Sequence, residues 1–337
     1  MIGLGLVADD LTGALDSAAQ FARKNEPIPV YWPPLAGSPP GDIAVDIGTR
    51  ELPQAGAVAR SIEFAPVLEN AQLAYKKIDS QLRGHVAAEL AAILRRGRFD
   101  QCILAPALPF HGRFTRGGVQ FVRQSNGEFA RIEVDLTGCD PGSVVIADAE
   151  TDDDLTRIAR EGLSSGRRIL WCGSAGLAAA LSGEKPPAPA MDAGPALAVI
   201  GTDHASTLAQ LACARESCIP VIANSLPALP LERCILHLDP APGLDRLTAS
   251  ARIRETLALT VPRMRPPGRV IVTGGETFTH LCAAIGARRL DVEGQLLPGV
   301  PVSRFRGGAW DRVQVISKSG AFGDVALLRR LLESRLW

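Results

Sequence analysis

Short apolar runs alternate with segments of helical periodicity along most of this 337-residue chain. The first run, Ile2 to Ala8, predicts a buried strand, and apolar residues at helical spacing follow it as far as Phe21. Further strands in the first half are predicted at 43–47, 73–78, 101–105, 143–147 and 168–171, and a hairpin at 119–123 and 130–134. Helices are predicted at 53–69, at 86–96 and from 153 onwards. This alternation is typical of α/β proteins.

A proline-rich segment without periodicity, residues 182–195, precedes a second alternation of the same kind. Its predicted strands are 196–200, 219–223, 234–238, 269–273 and 313–317, and its predicted helices are 205–216, 246–259, 277–286 and a last one from about 324. The sequence therefore predicts two α/β domains, 1–185 and 196–337, joined by a linker. Each domain is expected to contain a mostly parallel sheet flanked by helices, with an active-site cleft between the two domains.

The composition excludes several classes of protein. Hydrophobic residues make up 46% of the chain and charged residues 21%, so large buried cores are expected. The formal net charge of zero argues against a nucleic-acid-binding protein. The seven cysteines are scattered without a C-x-x-C pair, which is typical of reduced core thiols. Since neither a signal peptide nor a membrane-spanning apolar run is evident, we expect a cytoplasmic protein without membrane partners.

The first predicted strand ends in two adjacent carboxylates, Asp9 and Asp10, which precede the first predicted helix. Open α/β sheets bind their ligands at this carboxyl end of the strands. Because successive strand residues point to opposite faces, we expect only one of the two carboxylates to face a given site. In the alternative interpretation, Asp10 caps the helix by accepting a hydrogen bond from a backbone N–H near Gly13.

A second polar block, residues 76–85, again lies where a predicted strand meets a helix. Its two lysines and Arg83 suit an anionic substrate, because lysine and arginine donate charge-assisted hydrogen bonds to carboxylates and phosphates, and Asp79 would be a base held near that substrate. Alternatively, Asp79 or Ser80 only caps the following helix and the basic residues are solvated. The glycine- and arginine-rich segment 111–118 is predicted to be a loop and is a weaker candidate for anion binding.

Two glycine-containing loops follow predicted strands in the second half, at 273–277 (TGGET) and 318–323 (KSGAFG). Free backbone N–H groups at the start of a helix, together with glycines that let the backbone approach, form phosphate-binding sites. Neither loop is a Walker A motif, since G-x-x-x-x-G-K-[ST] does not occur in the sequence. A structural turn explains either loop alone, whereas both loops in one domain favour nucleotide binding.

Two other motifs are rejected. Residues 3–8 match the dinucleotide-binding pattern G-x-G-x-x-A, but they lie inside the first predicted strand, where the glycines cannot form the required turn. Residues 172–176 (CGSAG) resemble a nucleophile elbow but have Cys172 in place of its first glycine, so they predict a strand-to-helix turn. A nicotinamide-dependent dehydrogenase is therefore disfavoured.

Taken together, the polar blocks resemble the motifs of the four-carbon acid sugar kinase family. Residues 8–16 match its A-D-D-L-T-G-A-x-D pattern without a gap, and residues 76–85 match K-K-I-D-S-T-L-R-G-N except at Gln81 and His85. The matches in the second half are G-G-E-T at 274–277, G-x-P at 299–301 and K-S-G-x-F-G at 318–323. The resemblance spans both predicted domains.

This resemblance implies an acid-sugar-binding domain at 1–185, a nucleotide-binding domain at 196–337, and transfer of the ATP γ-phosphoryl group to the 4-hydroxyl of a tetronate or 3-oxo-tetronate. The implied partners are the acid sugar and ATP, with Mg²⁺ bridging the phosphates, and a homodimer is left open. The catalytic residues implied are Asp10 as the first choice of base, Asp79 as the second, and Lys77. Those implied for substrate binding are Asp9, Arg50, Lys76, Ser80, Arg83, Gly84 and Arg113. Those implied for nucleotide binding are His204, Ser206, Gly274, Gly275, Glu276, Thr277, Gly299, Lys318, Gly320 and Gly323.

One departure from the family pattern leaves a second function open. The loop that begins the nucleotide domain reads GTDH at 201–204, where family members have G-S-C-S. A chain that kept the fold but lost turnover would be a sensor of sugar acids or nucleotides. Release of ADP in the presence of a tetronate distinguishes the kinase from the sensor.

Overall fold

The computed structural model describes residues 2–35, 40–124, 126–215, 219–221, 232–238 and 244–334. The chain divides into two compact units, Met1–Pro186 and Pro187–Trp337, which we call the N-terminal and C-terminal units. The division lies inside the proline-rich segment 182–195. None of the helices in the described ranges is long and apolar enough to cross a lipid bilayer.

The N-terminal unit contains one large sheet and one small sheet. Its strands are β1 (Ile2–Ala8), β2 (Ile28–Tyr31), β3 (Ile43–Asp46), β4 (Ala71–Lys77), β5 (Gln101–Ala105), β6 (Arg113–Arg116), β7 (Val119–Arg123), β8 (Phe129–Glu133), β9 (Val144–Ile146) and β10 (Ile169–Gly173). Its helices are α1 (Leu11–Phe21), α2 (Gln54–Glu69), α3 (Val86–Leu94), α4 (Asp152–Ser164) and α5 (Ala175–Ser182). Seven strands pair in parallel in the order β2-β3-β1-β4-β10-β5-β9. Helices α1, α4 and α5 pack together, as do α2 and α3.

The local sequence explains how β1 leads into α1. Gly5 lets helix α2 approach the strand closely, because a Cβ atom there would lie 2.3 Å from the carbonyl oxygen of Val67. Helix α1 begins directly after Asp10, whose carboxylate accepts a hydrogen bond of 3.0 Å from the backbone N–H of Gly13. The predicted helix cap is therefore confirmed. Gly3 and Gly5 lie inside β1, as the rejection of the dinucleotide motif requires.

The small sheet consists of the antiparallel strands β6, β7 and β8. The predicted hairpin of β7 and β8 is confirmed, although Ser125 of its turn lies outside the described residues. The prediction that 111–118 is a loop is wrong, because β6 occupies part of it. Phe114 of β6 stacks on Phe121 of β7 with ring centroids 4.9 Å apart. This cross-strand aromatic pair stabilises β6. The arginines of β6 and the glycines beside it obscure the alternation of apolar and polar residues by which a strand is predicted.

The C-terminal unit contains a second mostly parallel sheet. Its strands are β11 (Ala196–Ile200), β12 (Ile219–Val221), β13 (Arg233–His237), β14 (Arg269–Thr273), β15 (Arg289–Leu297), β16 (Val300–Arg306) and β17 (Gln314–Lys318), and its helices are α6 (Ala205–Ala214), α7 (Arg246–Thr260), α8 (Gly275–Ile285) and α9 (Leu327–Glu333). Strands β12-β13-β11-β14-β17 are parallel, and β16 and β15 extend the sheet antiparallel. Helix α6 packs on α9, and α7 packs on α8. The predicted α/β class is therefore confirmed for both units.

The antiparallel hairpin of β15 and β16 is absent from the sequence-based prediction. Its pairing is irregular, with register shifts between Val292 and Gly294 and between Gln295 and Leu297. Such bulges break the simple alternation on which strand prediction depends. The last residue of the predicted helix 205–216 and the last two of the predicted strand 219–223 lie outside the described residues.

Candidate active site

Arg50, which follows β3, binds both carboxylates that follow β1. Its Nε lies 2.8 Å from Asp9 Oδ2, and its Nη2 lies 2.9 Å from Asp9 Oδ1 and 2.7 Å from Asp10 Oδ1. The side chains of Arg50, Asp9 and Asp10 are 13%, 5% and 21% exposed, so these charge-assisted hydrogen bonds are largely shielded from water. The three residues are the centre of a polar cluster at the carboxyl ends of β1, β3 and β4.

The expectation that only one of the two carboxylates faces a given site is wrong. Strand β1 ends at Ala8, so Asp9 and Asp10 lie beyond the pleated strand. The alternation of side chains applies only within the strand. Both carboxylates are therefore free to turn towards the same guanidinium group.

Both carboxylate oxygens of Asp10 are already engaged. Oδ1 accepts hydrogen bonds from the N–H of Gly13 and from Arg50, and Oδ2 accepts one of 2.6 Å from the Thr12 hydroxyl. Burial alone raises the pKa of Asp10, but the charges of Arg50 and Lys77 and these hydrogen bonds lower it below its ordinary value. For Asp9 the effect of burial on the pKa is larger than the opposing effect of the Arg50 charge, so the pKa of that carboxyl is raised. Asp10 is thus held as a carboxylate of low basicity.

The two lysines that end β4 lie in different environments, as the alternation of strand residues requires. Nζ of Lys76 lies 2.6 Å from Glu89 Oε2 of α3, and both side chains are fully buried. Nζ of Lys77 donates a 2.8 Å hydrogen bond to the carbonyl of Ile78 and lies 2.5 Å from the position that a Cβ atom on Gly13 would occupy. Lys77 therefore belongs to the polar cluster. The structure places Lys76 against Glu89 of α3, while the charge of Asp9 also acts on it.

Asp79 is anchored by a residue of its own block. It accepts hydrogen bonds from Nε and Nη2 of Arg83, the second at 3.2 Å. Burial alone raises the pKa of Asp79, but the hydrogen bond from Arg83 and the charge of Arg50 lower it to about 2. The side chain of Arg83 is 59% exposed, whereas that of Asp79 is 7% exposed. A largely exposed cation is therefore fixed at one end by a buried carboxylate.

Arg113 of β6 joins this block to the small sheet. Its Nη1 donates a hydrogen bond to the hydroxyl of Ser80, and the carbonyl of Ser80 accepts a 2.8 Å hydrogen bond from Gln120 of β7. Burial lowers the pKa of Arg113. Gly84, whose φ is +90°, lies against the centre of the cluster, because a Cβ atom there would lie 3.7 Å from Asp9 Oδ2. These predicted residues therefore lie in one region of the N-terminal unit.

Sequence reasoning missed two carboxyl groups of this cluster, Asp46 and Asp16. Asp46 ends β3 and accepts a 2.8 Å hydrogen bond from the N–H of Gly48, and burial and the charge of Asp10 raise its pKa to about 7. Burial also raises the pKa of Asp16, on α1, to about 6, although the charge of Lys77 opposes it. The position of Asp46 at the end of a predicted strand was a usable signal. Asp16 is the last residue of the A-D-D-L-T-G-A-x-D pattern at 8–16, which was also a usable signal, although its environment depends on tertiary packing.

Three loops of the C-terminal unit meet at the carboxyl ends of the neighbouring strands β11, β14 and β17. The hydroxyl of Thr207 donates a 2.8 Å hydrogen bond to the carbonyl of Gly320, and the N–H of Gly274 donates one of 3.3 Å to the carbonyl of Lys318. A Cβ atom on Gly320 would lie 3.0 Å from Thr202 Oγ1. The structure thus brings together the loops at 201–204, 273–277 and 318–323.

Helices α6 and α8 begin at these loops. His204 caps α6, and its Nδ1 accepts a 3.2 Å hydrogen bond from the N–H of Ser206. Helix α8 begins at Gly275, after Gly274 with φ of +99°, and that N-terminus has no side-chain cap. Backbone N–H groups at such a helix start suit an anion.

Lys318 supplies a cation beside the same loops. Its side chain is buried, and its Nζ lies 3.4 Å from Thr207 Oγ1 and 3.1 Å from the carbonyl oxygen of Ser319. Burial lowers the pKa of Lys318 to about 8. A buried ammonium group with so few acceptors is stabilised when an anion binds next to it.

The other residues predicted for nucleotide binding have diverse surroundings. Glu276 lies in the first turn of α8 with its Oε2 3.7 Å from Arg246 Nε, and Thr277 is buried. A Cβ atom on Gly299 would lie 2.2 Å from the ring of Phe322, and one on Gly323 would lie 2.1 Å from Leu327 Cδ2. Gly299 and Gly323 have φ of +75° and +88°, so a turn and a close contact require glycine at both positions. Within the described ranges, no group of three or more His, Cys, Asp or Glu residues is placed to hold a metal ion.

The two sites suit different ligands. The cluster in the N-terminal unit combines cations with carboxylates, which can bind the acid group and the hydroxyl groups of a small polyhydroxy acid respectively. The loops in the C-terminal unit combine helix N-termini, glycines and Lys318, which suit a phosphate chain.

Comparison with known proteins identifies both halves of the chain. A family model described as a sugar-binding N-terminal domain matches residues 4–135 and 124–181, and one described as a nucleotide-binding C-terminal domain matches residues 220–328. A D-threonate kinase from Bordetella bronchiseptica is 28% identical over 395 aligned residues, which cover 98% of this chain and 97% of that protein. A 3-oxo-tetronate kinase from Pectobacterium atrosepticum is 34% identical over 135 residues, covering 36% of this chain and 31% of that protein.

A solved structure from Salmonella typhimurium LT2 has the same fold, with a TM-score of 0.79 at 19% identity and coverage of 98% of both chains. The sugar-binding family model alone extends over more than half of the present chain. The chain belongs to the four-carbon acid sugar kinase family, whose members join a sugar-binding N-terminal domain to a nucleotide-binding C-terminal domain.

Proposed function

We propose that this protein is an ATP-dependent kinase that phosphorylates the terminal 4-hydroxyl group of a four-carbon acid sugar, either a tetronate or a 3-oxo-tetronate. The names of its relatives support a kinase that acts on acid sugars. The observation on which the proposal chiefly rests is the buried cluster of cations and carboxylates at the carboxyl ends of β1, β3 and β4. This cluster lies in the unit that matches the sugar-binding family model.

In this proposal the substrate carboxylate binds to Lys77, Arg83 and Arg113. Arg83 is the most exposed of the three, and its pairing with Asp79 holds the guanidinium in one place. Asp9 and Asp10 orient Arg50, and Asp79 orients Arg83, so their main contribution is to position cations. Arginine suits this task because its planar group binds two carboxylates at once.

The C-terminal unit binds ATP in this proposal. The phosphates would contact the N–H groups at the starts of α6 and α8, with Lys318 providing the positive charge. Glycine at two positions of these loops is consistent with a backbone that approaches phosphates closely. A Cβ atom at Gly320 would crowd Thr202, and Gly274 adopts a φ of +99°. Mg²⁺ would be held mainly by phosphate oxygens and water, as is usual for phosphoryl transfer. When bound, it neutralises charge on the transferring group.

If ion pairs bind the substrate carboxylate, the protein should prefer an acid to the matching neutral polyol, and this preference can be measured. Losing a charge-assisted hydrogen bond costs about 1.5–3 kcal/mol, which is roughly a ten- to hundred-fold loss in kcat/KM. The assay measures ADP release from ATP and Mg²⁺ with a panel of tetronates and 3-oxo-tetronates, alongside the neutral four-carbon polyol. We expect turnover with at least one acid and a kcat/KM at least ten-fold lower for the polyol.

The alternative function, a sensor without turnover, gives a different result in the same experiment. Calorimetric binding of an acid and of ADP without ADP release would support the sensor and contradict the kinase. Equal kcat/KM for the acid and the polyol would leave a kinase but refute the assignment of the cations.

A further inference from the structure

Asp16 is a charged residue to which the proposed function gives no role. It lies on α1, and its side chain is partly exposed, but its Oδ1 is buried and has no hydrogen-bond partner among the described residues. A buried carboxylate oxygen without a donor is costly, so such an atom calls for an explanation.

The surroundings of Asp16 place it beside the substrate-binding cations. Gly13 and Asp16 are three residues apart and share a face of α1. Nζ of Lys77 lies on that face, 2.5 Å from the position of a Cβ atom on Gly13. The other charged or titratable groups that interact with Asp16 are Asp10, Arg113 and Tyr75.

The two carboxylates that the sequence suggested as bases are poorly suited to take a proton. Both oxygens of Asp10 accept hydrogen bonds from Thr12, Gly13 and Arg50, and both oxygens of Asp79 accept them from Arg83. A carboxylate with such partners is stabilised in its charged form and has little tendency to accept a proton. Asp16 has no such partner at Oδ1.

We propose that Asp16 is the general base of the reaction, a role that rests on the proposed function. The O–H bond of the substrate hydroxyl breaks and its proton passes to the carboxylate of Asp16. The hydroxyl oxygen forms a bond to the γ-phosphorus of ATP, while the bond from that phosphorus to the β–γ bridging oxygen breaks and ADP leaves with its electron pair. Asp16 later releases the proton to water.

The environment of Asp16 supports this role. Burial raises its pKa to about 6, although Lys77 opposes the shift. A base works best when its pKa is close to the operating pH, because it is then both ionised and able to hold a proton. The pKa of Asp79, about 2, makes that residue a much weaker base.

The test compares kcat between pH 5 and pH 9 in the full-length protein at saturating ATP, Mg²⁺ and acid substrate. The variants are Asp16→Asn, Asp10→Asn and Asp79→Asn, with the exposed Asp153→Asn on α4 as the matched control. Wild type and Asp153→Asn should lose kcat at acidic pH, with a midpoint at or above the pKa of about 6 that Asp16 has without ligand, since the bound acid raises it further. The kcat of Asp16→Asn should be roughly 10²–10⁴-fold lower than that of wild type, and it should no longer decrease at acidic pH, so this acid limb of the profile is lost. Asp10→Asn and Asp79→Asn should retain the limb at whatever level of activity they have, because both keep Asp16. ATP ionises identically in every assay, so it cannot explain a limb that is lost only in Asp16→Asn.

A second variant distinguishes the loss of a base from a folding defect. Asp16→Ala removes the carboxyl group and leaves space, so added formate should restore part of its kcat. A purely structural role predicts no rescue by formate and an unchanged acid limb in Asp16→Asn, and either result would overturn the proposal. If wild type releases no ADP with any four-carbon acid, the proposed function fails instead, and the two failures are thereby distinguished.

Discussion

Replacing Arg50 with methionine should destabilise the N-terminal unit more than any surface substitution. Arg50 donates three charge-assisted hydrogen bonds, of 2.7–2.9 Å, to Asp9 and Asp10. Methionine fills similar space but leaves two largely buried carboxylates without their cation. Removing one partner of a buried ion pair costs about 3–5 kcal/mol. For a unit of this size, that corresponds to a fall in Tm of roughly 6–20 °C.

The pH dependence of this loss follows from the same contacts. In wild type the pKa of Asp10 is lowered, so its contribution to stability is present above its unfolded pKa and is lost as the pH falls through its folded pKa. Without Arg50, the pKa of both carboxyls rises, and they can protonate at mildly acidic pH. The destabilisation of Arg50→Met should therefore be largest near pH 7.5 and smaller near pH 5.

Thermal unfolding followed by circular dichroism measures the loss, and hydrogen–deuterium exchange of peptides from β1 and β3 localises it. The matched control is Arg157→Met, which removes an arginine that pairs with Asp154 and Glu161 at the surface of the same unit. Exposed pairs contribute little to stability, so its Tm should hardly change. If Arg50→Met lowers Tm no more than Arg157→Met at pH 7.5, the reasoning from burial is refuted.

Three further substitutions test other parts of the structure. Lys318→Met should weaken ADP binding at least ten-fold, which calorimetry measures; unchanged affinity would remove this lysine from the nucleotide site. Lys76→Met should lower the free energy of unfolding by about 3–5 kcal/mol, and adding Glu89→Leu should restore it. The KM for the acid should stay unchanged in the double variant, and a raised KM would indicate that Lys76 binds the substrate. Gly299→Ala should lower the denaturation midpoint by placing a Cβ atom 2.2 Å from the Phe322 ring, with a cost of order 1–3 kcal/mol, and an unaltered midpoint would show that the loop adapts.

The predicted strands and helices follow from periodicity because most of them have one clear apolar pattern. The cap at Asp10 was also predictable from sequence, because a helix cap depends only on residues close to it along the chain. The hairpin of β15 and β16 was not predictable, because Gly294 and a second bulge interrupt its alternation. Strand β6 was hidden in the same way by the arginines and glycines around Phe114.

The candidate site was only partly predictable from sequence. Alternation along β4 requires Lys76 and Lys77 to point to opposite sides, but it does not say which side carries the ligand. In the structure Lys76 pairs with Glu89, a residue on a helix that no local pattern connects with it. Arg50 lies about 40 positions from the carboxylates it binds, and the raised pKa of Asp16 depends on the packing of α1. Long-range contacts of this kind leave no local pattern in the sequence.

If the cluster binds the acid substrate as proposed, its charge balance should couple that binding to protons. If every group were ionised, the carboxylates Asp9, Asp10, Asp16, Asp46 and Asp79 would outnumber the cations Arg50, Lys77, Arg83 and Arg113, which would weaken the binding of an acid substrate. The raised pKa of Asp46, about 7, allows that carboxyl to protonate near neutral pH. An added anion raises the pKa of neighbouring carboxyls further, so acid binding should take up protons.

Calorimetry in buffers of different ionisation enthalpy measures this uptake, and at pH 7 we expect a fraction of one proton per acid bound. Asp46→Asn should reduce the uptake, whereas the exposed Asp153→Asn should not. Proton uptake tightens acid binding as the pH falls from 8 towards 6, while a base with a pKa of about 6 loses activity below that pH. The kinase should therefore use acid substrate most efficiently slightly above pH 6. Binding without proton exchange at pH 7 would show that the cluster neutralises the acid through its cations alone.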